Sequence, residues 1–113
     1  MKLEIEEFNG EGFAPLVSYG GWRVAIVNMC ERLREEKLCK IERHLETDEV
    51  FILLQGEATL HIGKEREKVP MEIGKIYNVK CGAWHAISMG ENAKVAVVEN
   101  QDTGKENTEF LYF

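Results

Sequence analysis

Long apolar runs, paired cysteines, prolines and a basic excess are all scarce in this 113-residue chain. The longest strongly apolar run, Val50 to Leu54, is five residues, against the roughly 20 that a membrane-spanning helix needs. The opening "MKLEIEEF" has no apolar core and turns acidic within four residues, so no secretory leader is expected. Cys30, Cys39 and Cys81 are odd in number and lack CxxC spacing, which excludes a disulfide framework and a zinc ribbon. Reduced thiols and a cytoplasmic location are the corresponding expectation. Fourteen Lys and Arg stand against twenty Asp and Glu, a formal charge of -6. With no basic stripe, nucleic acid and anionic membrane are not expected partners.

What is present fits one globular domain spanning 1–113. Hydrophobic residues make up 44% and charged residues 30%, too apolar for a disordered chain. Most of the sequence reads as short strands between turn residues. "KLEIEEF" alternates; "GFAPLVSYGG", with its glycines and proline, reads as a loop; "WRVAIVNM" is rich in strand formers. "VFILL" passes through Gly56 into "EATLHI", where Ala58, Leu60 and Ile62 alternate with Glu57, Thr59 and His61. "GKERE" makes a hairpin tip, followed by "KVPMEIG", "KIYNV", "HAISM", "KVAVVEN" and the apolar tail "EFLYF". Nine or ten short strands with frequent turn signals predict an all-β sandwich or barrel.

One segment departs from the pattern. "MCERLREEKLCKIERHLE" is rich in helix formers, and Leu38, Ile41 and Leu45 fall on a helical stripe. On a helix, Glu42 and His44 would lie about 200° apart around the axis and could share no ligand. On a strand, residues i and i+2 face the same way. After a turn at "LETD", a second strand would then place Glu49, Phe51 and Leu53 on one face. Two carboxylates and an imidazole meeting among apolar residues are costly without a compensating cation. A second cluster, "GKIYNVKCGAWHAISM", places His85 just after a Gly82 turn, with His85 and Ile87 sharing a face.

These residues resemble the two motifs of a small single-domain cupin, over about 36–56 and 74–89. His44 takes the second position of the first motif's His-x-His, Glu49 follows after four residues, and Gly56 follows after six more. Gly74, Gly82 and His85 match the second motif in register. Glu42 replaces the first histidine, Glu36 the opening glycine, Lys80 the usual proline and Met89 the final asparagine. The resemblance implies a cupin-type double-stranded β-helix, or jelly-roll barrel. It also implies a divalent ion (Zn, Fe, Mn or Ni) held by Glu42, His44, Glu49 and His85. Glu42, if not coordinated, becomes a candidate general base. Phe51 and Ile87 are expected to line the pocket.

The implied function is binding of a small polar metabolite such as a sugar or organic acid, with its transformation left open. The alternatives are a metal-free cupin resembling sugar isomerases and epimerases, or a non-enzymatic ligand-binding or regulatory protein. Fold does not choose among them, and the sequence leaves catalysis open. His61, on the polar face of its strand, is expected to be solvent-exposed. Cys81 has no partner for chemistry, and Trp22 and Trp84 read as packing or interface residues. The apolar tail is expected to pair with an edge strand, and a homodimer is expected.

Overall fold

Ten strands organise the computed structural model, which describes residues 1–113. They are β1 Gly12–Tyr19, β2 Trp22–Asn28, β3 Lys40–His44, β4 Glu49–Gln55, β5 Ala58–Ile62, β6 Glu67–Pro70, β7 Tyr77–Val79, β8 His85–Met89, β9 Lys94–Asn100 and β10 Thr108–Tyr112. One antiparallel sheet has the order β1-β2-β9-β4-β7 and the other β10-β3-β8-β5-β6. From β2 onward the chain therefore crosses between sheets at every connection except β5–β6, the double-wound path of a jelly roll. No helix is long and apolar enough to cross a membrane.

Alternation builds the core. Ala25 and Val27 of β2, Phe51 and Leu53 of β4, and Val95 and Val97 of β9 point inward from one sheet. They meet Ala58 and Leu60 of β5 and Met89 of β8 from the other. Each fully buried Val, Leu or Phe contributes on the order of 1.5–3 kcal/mol.

The segment 30–46 is extended where it matters. Two single 3-10 turns, Glu31–Leu33 and Glu35–Lys37, absorb its helix formers, and β3 then runs straight through Glu42 and His44. Ile41 is buried while Leu45 is exposed, so no helical stripe forms. The tail pairs within its own chain, with Phe110 opposite Glu42 and Thr108 opposite His44.

Three local expectations are corrected. "GFAPLVSYGG" is a strand, β1, rather than a loop. It lies at a sheet edge and carries an irregularity between Pro15 and Val17, where a missing backbone N–H and a bulge are tolerated. "KLEIEEF" is not a strand, because its alternation finds no neighbouring ladder within the chain; Asn28 Nδ2 and Lys94 Nζ donate to the Phe8 carbonyl at 2.9 and 2.8 Å. His61 is buried rather than exposed, for the outer face of its strand is covered by the turn that carries Glu35. Ser88 Oγ lies 2.8 Å from its Nε2, and burial lowers its pKa.

Gly56 turns β4 into β5 with φ +75°, and a Cβ there would sit 2.8 Å from Ala93 Cα. Gly20 has φ +59° but open space around it. Gly56→Ala is therefore expected to cost at least about 1 kcal/mol more than Gly20→Ala, since backbone strain is common to both and the clash is not. Paired urea melts check this; equal losses would show that the close approach is unimportant.

Candidate functional site

The two sheets bring different chemistry to one point. β3 and β8 project Glu42, His44 and His85 from one sheet, with Glu42 directly opposite His85. From the other sheet, β4 projects Glu49 and β9 projects Glu99, with Arg23 of β2 opposite Glu99. Only the "LETD" turn separates His44 from Glu49, yet the pair spans the interior because the chain changes sheets there.

Glu49 is the hub. Its Oε1 accepts from His44 Nε2 at 2.9 Å and from His85 Nε2 at 2.8 Å. The imidazole edges meet with ring centroids 5.2 Å apart, and Phe51 packs edge-on against His85. His85 Nδ1 lies 3.0 Å from the Ala83 carbonyl. A carbonyl only accepts, so Nδ1 carries a proton; facing an ionised Glu49, Nε2 carries one too. His85 is thus an imidazolium when Glu49 is ionised. His44 differs, because its Nδ1 partner is the Thr108 hydroxyl at 2.9 Å, which can donate or accept.

The acid–base balance follows from these contacts. Burial opposes the Glu49 charge, but the hydrogen bonds from His44 and His85 and the charge on His85 outweigh it, holding the carboxyl at about 2. Burial also opposes charging of His44 and His85, yet Glu49 raises both above the ordinary imidazole value. Burial pushes Glu99 up, the Glu49 charge adds to the push, and Arg23 only partly offsets it, leaving Glu99 at about 7.

Reading the sequence missed Glu99 and Arg23. Arg23 Nη2 donates to Glu99 Oε2 at 2.7 Å, while Glu99 Oε1 is buried without a partner, 4.0 Å from His44 Nε2. The signal was present: in "KVAVVEN", Glu99 continues the inward alternation of Val95 and Val97, and a charge in that series is out of place in a plain core.

The donor set suits a cation. One ligand atom each from Glu42, His44 and His85 lies within 4.8 Å of the others, as does one each from His44, Glu49 and Glu99. Donors around one ion at about 2.1 Å stand at most about 4.2 Å apart, so small side-chain adjustments close either set. The unpartnered Glu99 oxygen and the excess of carboxylates both fit added positive charge. These residues form the floor of a cavity of about 660 Å³, which Phe51 and Ile87 also line. That volume lies within the range of small-molecule sites. Cys81 stands outside the floor, its backbone N–H donating to Asp48 Oδ1 at 2.8 Å. Arg43 stacks over Trp84, and exposed Trp22 sits against Tyr19.

No protein-family model and no curated protein matches the chain. Solved structures do. Streptomyces Pac13, described as a unique nucleoside dehydratase, superposes with a TM-score of 0.70 at 12% identity, covering 96% of this chain and 85% of its own. A Pac13 variant with uridine matches equally well in TM-score, at 13% identity, over 96% and 84%. A cupin-2 domain containing protein from Shewanella frigidimarina gives a TM-score of 0.64 at 18% identity, covering 83% of this chain and 85% of that one. The fold is a cupin jelly roll.

The linked titrations predict how the site sets stability in the absence of added cations. Glu49, depressed from 4.5, contributes fully above pH 4.5 and loses its contribution as pH falls toward 2. Glu99, raised from 4.5, contributes fully below 4.5 and loses its contribution as pH rises through about 7. The imidazoles contribute below 6.5 and lose that contribution as pH climbs past their raised values. In EDTA, Glu99→Gln should therefore gain on the wild type by on the order of 1–2 kcal/mol between pH 5 and 7.5. Melting curves across that range check it; a constant difference would contradict the assignment.

Proposed function

We propose that this chain is a metal-binding cupin that holds a small polar metabolite in its cavity. His44, His85 and Glu49 hold a divalent ion, and Glu42 either completes the set or, left free, takes a proton from the ligand. The observation that carries this reading is the convergence of two imidazoles and three carboxylates on one cavity floor, with Glu99 Oε1 left unpartnered. A bound ion would polarise a carbonyl or carboxylate of the ligand, or activate water.

The chain's own residues prepare for that. The bond from His85 Nδ1 to the Ala83 carbonyl fixes the ring and leaves Nε2 as the atom that must give up its proton. Thr108 serves His44 in the same way, accepting from Nδ1 once Nε2 is engaged. Glu42, half-buried on the cavity floor, makes no hydrogen bond or ion pair within the chain, so its carboxylate is available to a ligand or an ion. The uridine bound by the Pac13 variant supports a small polar molecule as occupant.

One observation favours a second reading, a metal-free binder or acid–base catalyst: Glu49 Oε1 is already satisfied by both imidazoles. We also propose a cytoplasmic homodimer, on the unpaired thiols and on the apolar side chains left exposed along edge strands β1 and β10, among them Tyr19, Tyr112 and the terminal Phe113. Light scattering tests the dimer.

Elemental analysis of protein purified without chelator separates the two site readings. The metal reading expects near-stoichiometric divalent metal, lost in His44→Ala and His85→Ala. Titration of chelated protein with Mn²⁺ or Zn²⁺ at pH 6 should release at least one proton per ion, because His85 must lose one. Metal-free protein with unchanged melting on adding either ion would favour the second reading.

A further inference from the structure

We infer that the cavity selects a small monomeric anion, a carboxylate or phosphate on a sugar-sized body, whose charged group is held by Arg32, Lys37 and Lys105. This rests on reading the cavity as the ligand site, and it goes further by naming the ligand's charge. The motivating feature is a separation of charge within an acidic protein. Five of the fourteen Lys and Arg line the cavity, Arg23, Arg32, Lys37, Lys40 and Lys105, against three of the twenty Asp and Glu, Glu42, Glu49 and Glu99. The cavity thus carries a formal +2, and the remaining nine basic and seventeen acidic residues carry -8.

The cations and anions are also layered. All three carboxylates belong to the floor, on β3, β4 and β9. The cations other than Arg23 come from the Glu31–Leu33 and Glu35–Lys37 turns, the start of β3 and the Lys105–Asn107 turn. Two of the five are engaged: Arg23 pairs with Glu99, and Lys40 stands over the rings of Phe110 and Tyr112 at 4.6 and 5.8 Å. Arg32, Lys37 and Lys105 have no hydrogen bond from their charged groups and no carboxylate within 4.0 Å, although the chain has six more acids than bases. Outside the cavity, four of the nine cations, Arg34, Arg43, Lys68 and Lys75, pair with a carboxylate.

Three exposed, unpaired cations lining one open cavity raise the local concentration of an anion there. A cation on the floor would add to the effect. The strongly negative exterior works the other way on anything too large to enter, so a nucleic acid or other polyanion is rejected while a compact anion is admitted. Phe13 and Phe110, beside Arg23 and Lys40, give the cavity an apolar lining for the uncharged part of the ligand.

The test uses one ring with three head groups: D-glucose, D-glucuronate and D-glucose 6-phosphate. Binding is measured by calorimetry and thermal shift on the full chain and on an Arg32→Gln, Lys37→Gln, Lys105→Gln variant. The altered side chains are exposed and unbonded, so the variant should melt within a few degrees of the wild type without ligand. At least one anion is expected to bind tenfold or more tighter than glucose, to weaken as salt is raised, and to lose that advantage in the variant. Which anion wins tells a carboxylate ligand from a phosphate. Equal binding of all three, no binding of either anion at millimolar concentration, or a preference unchanged in the variant would overturn the inference. Runs with and without EDTA, alongside metal analysis, keep the two proposals apart. Metal bound with no anion preference sinks this inference alone; an anion preference in protein that metal analysis shows to take up no ion sinks only the metal reading.

Discussion

Two imidazoles from one sheet share a single carboxylate oxygen from the other, and the interior of this jelly roll is arranged around that contact. Glu49 Oε1 is within 2.9 Å of both His44 and His85, so three buried polar side chains satisfy one another across the gap between sheets. An uncompensated ionised carboxylate in that position would cost several kcal/mol. Its partners hold Glu49 ionised far below the usual carboxylate range, and the price of that arrangement passes to its neighbour: Glu99, beside a fixed negative charge, stays protonated up to about neutral pH.

The contact also bears on how acid–base chemistry and the proposed cation binding would be joined. His85 is oriented from behind by the Ala83 carbonyl, so its ring is positioned whether Nε2 faces a carboxylate or an ion. At the proposed cation site, protons and a divalent ion would compete for the same atoms, and affinity for the ion would rise with pH as His85 and Glu99 release their protons. Once Glu99 ionises, Arg23 beside it neutralises that charge, which prevents the floor from becoming a dense cluster of bare carboxylates.

Much of this was legible in the sequence, and the failures have physical reasons. The i, i+2 spacing of Glu42 and His44, the six residues from Glu49 to Gly56, and the placement of His85 after Gly82 pointed to a cupin jelly roll despite the helix formers around Glu35 and Leu38. Tertiary pairing overrode local propensity there, because β3 is hydrogen-bonded on both sides. "GFAPLVSY" misled because edge strands tolerate proline, and "KLEIEEF" because alternation specifies a strand only where a partner exists. His61 was misplaced because a sheet's outer face can be covered by a neighbouring turn, which pattern alone does not show. Glu99 and Arg23 were missed although their strands were read: Glu99 showed only as a charge in an inward series, and its pairing with Arg23 becomes visible once β2 is known to lie beside β9.

The central claim is that this floor is a cation site and not a self-contained hydrogen-bonded triad. Anomalous diffraction from crystals grown with Mn²⁺ or Zn²⁺, collected on both sides of the metal absorption edge, addresses it directly. The account predicts one strong peak bonded to Nε2 of both His44 and His85, with carboxylate oxygen from Glu49 or Glu42 completing the set. An empty floor, with Glu49 Oε1 still bridging the two imidazoles in the presence of excess metal, would contradict it.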